Sequence, residues 1–218
     1  MPIYQLNYSA NRYGYLVWHI EESEEELLSE LRLNVEEQAT YSNFLHPKRR
    51  LEWLASRLAY QKLCTHMQLP CLTIYKGHNG RPYLTDDKIH ISLSHCFPFA
   101  VAAINQQAPI GIDIQIPNYK LEVIKEKYLN RLEIEDSNQD LEKLCICWCA
   151  KEAIYKAYGH KGLSFQSINL APFNKEKQGT IDAQVLAKHR YTVHYYVEPK
   201  YILAWCQKAN VQNIAISS

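Results

Sequence analysis

The sequence predicts an α+β protein of two halves, each a long helix packed on a small, mainly antiparallel sheet, with the functional site at their interface. Three observations carry that expectation. Apolar residues recur at helical spacing over two long stretches, Lys48 to Met67 and Leu141 to Tyr158. Short runs suited to strands follow each of them. Each half also closes on a similar apolar run, Phe99-Ala-Val-Ala-Ala-Ile104 in the first and Tyr201-Ile-Leu-Ala-Trp-Cys206 in the second. The boundary falls near Gln107 to Ala108, giving an N-terminal half of 1–107 and a C-terminal half of 108–218. No low-complexity linker separates them, so tight packing is expected.

Taken in order, Tyr15 to Ile20 alternates with Leu16, Trp18 and Ile20 on one side, as a half-buried strand does. Ser23 with Glu26 three residues later reads as a capping box opening a short helix from Glu24 to about Leu31. The first long helix carries Leu51, Leu54, Leu58 and Leu63, with Pro70 just past its end. Thr73 to Tyr75, Ile89 to Leu93 and Phe99 to Ile104 read as strands, the first two separated by the turn-rich 77–82. Pro109 and Gly111 break the chain before a new strand. Leu121 to Leu132 reads as one helix, and 137–140 as a loop with a cap before the second long helix, which Gly159 and Gly162 end. Strands are expected near Ile168 to Leu170, Gln184 to Leu186, Thr192 to Val197 and Tyr201 to Gln207.

The chain has 218 residues of which 47% are hydrophobic, enough for a core in one large or two small domains. Its 24 basic and 23 acidic residues leave a formal charge of +1, so no global field draws it to nucleic acid or an anionic membrane. Any anion site must be local. The N-terminus lacks a secretory pattern and no segment approaches a membrane span, so a cytoplasmic protein is expected. Seven cysteines without such a signal read as reduced thiols rather than a disulfide framework. Cys145, Cys147 and Cys149 invite a zinc reading, but no second ligand pair stands at finger spacing and the segment looks helical, so buried thiols are favoured.

Four segments in order carry the chemistry: Gly80-Arg81-Pro82-Tyr83-Leu84, Ser92-Leu93-Ser94-His95, Gly111-Ile112-Asp113-Ile114-Gln115, and the run Trp148-Cys-Ala-Lys151-Glu152-Ala-Ile-Tyr-Lys156. Alone, Glu152 and Lys156, four apart on a helix, read as a surface ion pair. Together, from about Lys76 to Lys156, the segments resemble the 4′-phosphopantetheinyl transferases, specifically the long surfactin-synthetase-activating type. The resemblance implies a pseudo-twofold pair of α+β halves. It also implies an enzyme that moves the phosphopantetheine arm of coenzyme A onto a serine of an apo acyl or peptidyl carrier protein, releasing adenosine 3′,5′-bisphosphate with Mg2+ as cofactor. Short-type members assemble as trimers, whereas a chain holding both halves is expected to be a monomer.

Phosphoryl transfer asks mainly for positioning and charge neutralisation. The resemblance implies Asp113 and Glu152 as magnesium ligands, and a carboxylate such as Glu152 could also accept the serine proton. Lys156, one turn beyond Glu152, is the candidate cation for the pyrophosphate. Ser94 and His95 are implied as contacts to a coenzyme A phosphate, and Lys76 and Arg81, flanking the glycine turn, as cations facing the nucleotide. Gly111 is expected to let the backbone approach a bulky polyanion. Lys151 points elsewhere on the helix, as a secondary contact or a solvated charge.

Two departures from the family stand out. Gln115 replaces an acidic metal ligand; its amide oxygen could bind the metal or orient a water, or it is a surface polar residue. The cations that relatives carry ahead of the first long helix are missing from Glu36-Glu-Gln-Ala-Thr40, and Lys48, Arg49 and Arg50 could substitute or form a solvated face. A catalytically silent relative that holds coenzyme A or a carrier protein is the alternative that Gln115 keeps open. Another metal-dependent nucleotide transferase is disfavoured, since no P-loop or Rossmann fingerprint is present.

Overall fold

A computed structural model describes residues 3–9, 12–77, 81–160 and 162–208; Gly80, which opens the Gly-Arg-Pro run, lies outside the described residues. Strand β1 (Ile3–Tyr8) pairs with β2 (Tyr13–His19), and two short helices, α1 (Glu24–Glu30) and α2 (Val35–Ser42), lead into the long α3 (Pro47–His66). The capping box of α1 forms as its spacing predicts: Ser23 Oγ accepts from the Glu26 amide and the Glu26 carboxylate accepts from the Ser23 amide. Asn34 and Glu37 make a second box for α2, a helix that hydropathy does not flag because it buries none of its residues. A small ladder of β3 (Tyr75–Lys76) and β4 (Pro82–Tyr83) precedes β5 (His90–Cys96) and β6 (Phe99–Asn105).

Next come β7 (Ile110–Gln115), short helices α4 (Lys120–Val123), α5 (Lys125–Tyr128) and α6 (Arg131–Ser137), and the long α7 (Leu141–Tyr158). A single turn at Phe165–Ser167 leads to β8 (Ile168–Leu170), β9 (Gln178–Val185), β10 (His189–Glu198) and β11 (Tyr201–Lys208). The helix expected from Leu121 to Leu132 is thus three pieces. Leu129 turns extended at φ −104° and ψ 148° and buries its side chain, and Asn130 then starts a new capping box with Glu133. The strand expected at Gln184 is the end of the longer β9. It turns through Leu186 and Ala187, both left-handed at φ 51° and 54°, without the Asn or Gly that announces such a hairpin.

The larger sheets run β1-β2-β6-β5 and β7-β11-β10-β9-β8, and every pairing is antiparallel. The α+β class therefore stands as the sequence predicts it. Helix α3 covers one face of the first sheet, with Leu54, Leu58 and Leu63 clustering on Ala100, Ala102 and Ile104. Helix α7 covers the second, with Ala150, Ala153 and Ile154 clustering on Val193, Ala204 and Cys206. The alternate residues Phe99, Val101 and Ala103 of β6 meet Tyr201, Leu203 and Trp205 of β11 in a core between the sheets. This layering explains the two similar apolar runs. Each is a strand buried on both faces, so neither shows polar alternation.

Candidate active site

On β7, Ile110, Ile112 and Ile114 fill the core between the sheets, which turns Gly111, Asp113 and Gln115 to the opposite face, toward α7. A Cβ on Gly111 would fall 1.8 Å from the Ala153 carbonyl oxygen and 2.8 Å from the Ala157 nitrogen. The expectation that Gly111 admits a polyanion is corrected: what it admits is helix α7, backbone against backbone. That close approach carries Lys156 to Asp113, with Nζ 2.6 Å from Oδ1 and 2.9 Å from the Ile112 carbonyl.

Asp113 is only 2% exposed and its oxygens are shared among three side chains. Ser94 Oγ donates to Oδ1 at 2.5 Å, Lys156 to the same atom, and Gln115 Nε2 to Oδ2 at 3.2 Å. Ser92 Oγ accepts from the Ile112 amide at 3.1 Å, so two serines of β5 bind the first sheet to β7 beside the carboxylate. Glu152, half-buried on the same side of α7, makes no ion pair with Lys156 among the described residues; the lysine's partner lies 43 residues away instead. Burial, and then the charge of Asp113, hold the Glu152 carboxyl above its ordinary range, with Lys156 opposing them. Two carboxylates whose repulsion is only partly offset suit a divalent cation, which a magnesium ion satisfies with one or two carboxylates plus phosphate oxygens and waters. Asp113 and Glu152 fit that role. Gln115 presents its amide nitrogen to Asp113, which leaves the amide oxygen as its available donor.

Ser94 and His95 are adjacent on β5 and therefore face opposite ways. His95 turns to the start of α3, where Nδ1 lies 3.1 Å from Glu52 Oε2 and the ring touches the Arg49 guanidinium. Burial would raise the Glu52 carboxyl, but the hydrogen bond and charge of His95, together with the Phe97 amide and the Arg49 charge, hold the group below its ordinary value. Of the three basic residues at this helix start, Arg49 joins His95. Arg50 pairs with Glu24 at 3.1 Å, and Lys48 lies over the Phe97 ring. The spacing Arg49-x-x-Glu52 is the sequence signal for this cluster.

A cleft of about 250 Å3 is lined by Arg81, Ile91, Ser92, Glu152, Tyr155, Lys156, Gly159 and His160, among others. An adjoining hollow of about 430 Å3 shares Arg81, Ile91 and Gly159 and extends past Tyr83, Asp86, His90 and Pro109. Gly159 caps α7 at φ 75°, and a Cβ there would fall 2.0 Å from Arg81 Nη1, so the glycine both ends the helix and seats the arginine. Lys76 is exposed and is not among the residues lining either hollow. Tyr155 and His160, which no motif flags, line the cleft.

Lys151 is neither a secondary contact nor a solvated charge. It is fully buried, with Nζ 2.6 Å from Glu133 Oε2 and 3.2 Å from the Phe165 carbonyl. Glu133 in turn accepts from the Asn130 amide at 2.8 Å and the Leu170 amide at 2.9 Å. The pair fastens α6, α7 and β8 behind the cleft. Cys145, Cys147 and Cys149 are buried on α7, where burial raises the thiols of Cys147 and Cys149.

Two family models match this chain. One described as the 4′-phosphopantetheinyl transferase N-terminal domain matches residues 36–105, and one described as the 4′-phosphopantetheinyl transferase superfamily matches residues 109–211. The chain belongs to the 4′-phosphopantetheinyl transferase superfamily. The two matches take in every residue that lines the cleft, and Asp113 as well. The chain is also similar to a Haemophilus influenzae protein named "Putative 4'-phosphopantetheinyl transferase", 27% identical over 94 residues. That alignment covers 39% of this chain and 40% of the relative, less than half of either.

Proposed function

We propose that the protein is a magnesium-dependent 4′-phosphopantetheinyl transferase of the long, surfactin-synthetase-activating type. It moves the phosphopantetheine arm of coenzyme A to a serine of an apo acyl or peptidyl carrier protein and releases adenosine 3′,5′-bisphosphate. The observation that carries this reading is a cleft lined by Glu152, Lys156 and Arg81 whose Lys156 is paired with the buried Asp113. Residues of both halves, 1–107 and 108–218, line that cleft, which supports a monomer. The free thiols accord with a reducing, cytoplasmic setting.

The reaction forms a bond from the serine oxygen to the phosphorus that carries the arm and breaks the pyrophosphate bond. Glu152 receives the serine proton, directly or through a water, and burial and the Asp113 charge, which raise its carboxyl, make it a stronger base than an ordinary glutamate. Asp113 and Glu152, with the Gln115 amide beside them, would hold Mg2+, which would supply charge neutralisation at the pyrophosphate. Lys156 stabilises charge on the leaving group, and Ser94 orients Asp113. Arg81, and His95 with Arg49, bind coenzyme A phosphates, with Lys76 a more distant contact.

The test is mass spectrometry of an apo carrier protein incubated with coenzyme A, Mg2+ and the purified protein. The carrier should gain one arm, and Asp113→Ala or Glu152→Ala should nearly abolish the gain while leaving the fold intact. Unchanged transfer by Glu152→Ala would remove the mechanism. Gln115 favours a second reading, a silent relative that binds coenzyme A or a carrier protein without transfer. A parent inactive at every magnesium concentration but rescued by Gln115→Glu would support it.

A further inference from the structure

The β10–β11 hairpin carries cations that the transfer chemistry does not use. Strand β10 opens at His189 and β11 ends at Lys208; their register sets Lys208 opposite Tyr191, two residues along from His189 and so on the same face of the sheet. Lys188 precedes His189 in the turn, and both lysines are exposed. One ring joins this group to the cleft. Tyr158, in the last turn of α7, lies 5.6 Å from the His189 ring and 5.0 Å from that of His160, which lines the cleft with Arg81 and Gly159. Among the described residues, Lys188, His189, Lys208 and His160 make no ion pair. Desolvation, and then the charges of Lys208, Lys188 and His160, hold the His189 imidazole below its ordinary value, so these cations act on one another. Asp182 of β9 lies on the other face with Thr192, at 3.3 Å, while Asp86 and Asp87 belong to the wall of the hollow with Tyr83 and His90. In a chain whose formal charge is only +1, this is a local positive surface that starts at the cleft mouth.

We propose that Lys188, His189 and Lys208, continued by His160 to Arg81, form an approach surface that steers the polyanionic coenzyme A to the nucleotide end of the cleft. The inference rests on the transferase reading of that cleft. Neither lysine lines the cleft or the adjoining hollow, so they act through solvent on the incoming phosphates and not as contacts in the bound complex. Cations gathered on one side of a cleft mouth raise the rate of encounter with an anion, by roughly 10- to 1,000-fold where the field is strong. The occupant follows from position. The surface adjoins Arg81, assigned to coenzyme A, whereas Glu152, assigned to the acceptor serine, lies about two helical turns, roughly 10 Å, before Gly159. A small nucleotide with several phosphates therefore meets this patch, and the carrier protein's serine does not need it.

The experiment is stopped-flow mixing of the full chain and Mg2+ with coenzyme A carrying a fluorophore on its thiol. Ionic strength is set at about 0.1 M, where charges are felt over about 10 Å, and at about 1 M, where the range is about 3 Å. At the lower salt Lys188→Glu and Lys208→Glu should each slow association roughly two- to fivefold, with dissociation within about twofold of the parent. At the higher salt the association rates should converge. Lys200→Glu is the control. It changes the net charge equally but stands in the turn between β10 and β11, about 30 Å along the strand from His189, and should leave both rates unchanged. Equal association rates in Lys208→Glu and Lys200→Glu, a loss that persists at the higher salt, or a loss confined to dissociation overturns the proposal. So does unchanged coenzyme A association with slowed binding of an apo carrier protein, which would make the carrier the occupant. A parent that binds no coenzyme A at either salt removes the transferase reading itself, and this inference with it.

Discussion

Replacing Lys151 with Met isolates what the buried lysine of the helical motif contributes. The substitution keeps the apolar stem, removes the 2.6 Å partner of Glu133 and deprives the Phe165 carbonyl of its donor. Glu133 keeps two backbone donors, from Asn130 and Leu170, but loses its counter-charge at a site where it is 6% exposed. Breaking a buried pair from one side typically costs about 3–5 kcal/mol, because the remaining charge is left uncompensated. For a chain of this size that corresponds to a fall in Tm of roughly 6–20 °C. Adding Glu133→Gln should recover most of the loss, since the amide oxygen still accepts from Leu170 and no buried charge remains. The assay is thermal unfolding of the parent, both single variants and the double variant, with the coenzyme A KM measured well below each Tm. Lys151 lines no part of the cleft, so the KM should match the parent's. An unchanged Tm together with a raised KM would refute the argument and make Lys151 a contact of the site.

Other substitutions probe the same layout. Between pH 4.5, the ordinary value, and the raised value of Glu152, the folded protein binds more protons than the unfolded chain, so stability is lost as pH rises through that window. In metal-free buffer Glu152→Gln should therefore raise Tm at neutral pH and leave it unchanged below the window; a Tm difference independent of pH would contradict this. Gly111→Ala forces α7 off β7 and should destabilise by at least about 1–3 kcal/mol in denaturant unfolding, as overpacking does, while slowing transfer more than it weakens coenzyme A binding. The paired change Leu186→Asn and Ala187→Gly relieves two left-handed residues at an exposed hairpin and should stabilise by about 1–2 kcal/mol by the same measurement, since the left-handed region costs an ordinary residue about that much.

The sequence by itself determined the long helices, the Ser23 capping box, the α+β class and the order of the four segments. These rest on local energies, the 3.6-residue period and hydrogen bonds between residues a few positions apart. The short helices α4 to α6 and the β9–β10 hairpin were not legible, because buried Leu129 and the turn at Leu186 and Ala187 override local preference. Tertiary structure alone decided which charge meets which. Lys151 and Lys156 look alike in the motif, yet one is sealed against Glu133 and the other reaches Asp113. Their separation follows from the side of α7 that lies on β7, and Gly111 sets how closely it can lie there. Likewise the strand period says that Ser94 and His95 diverge, but only packing shows that one supports Asp113 and the other joins Arg49 and Glu52. Such pairings span 18 to 46 residues, and no local energy in the chain encodes them.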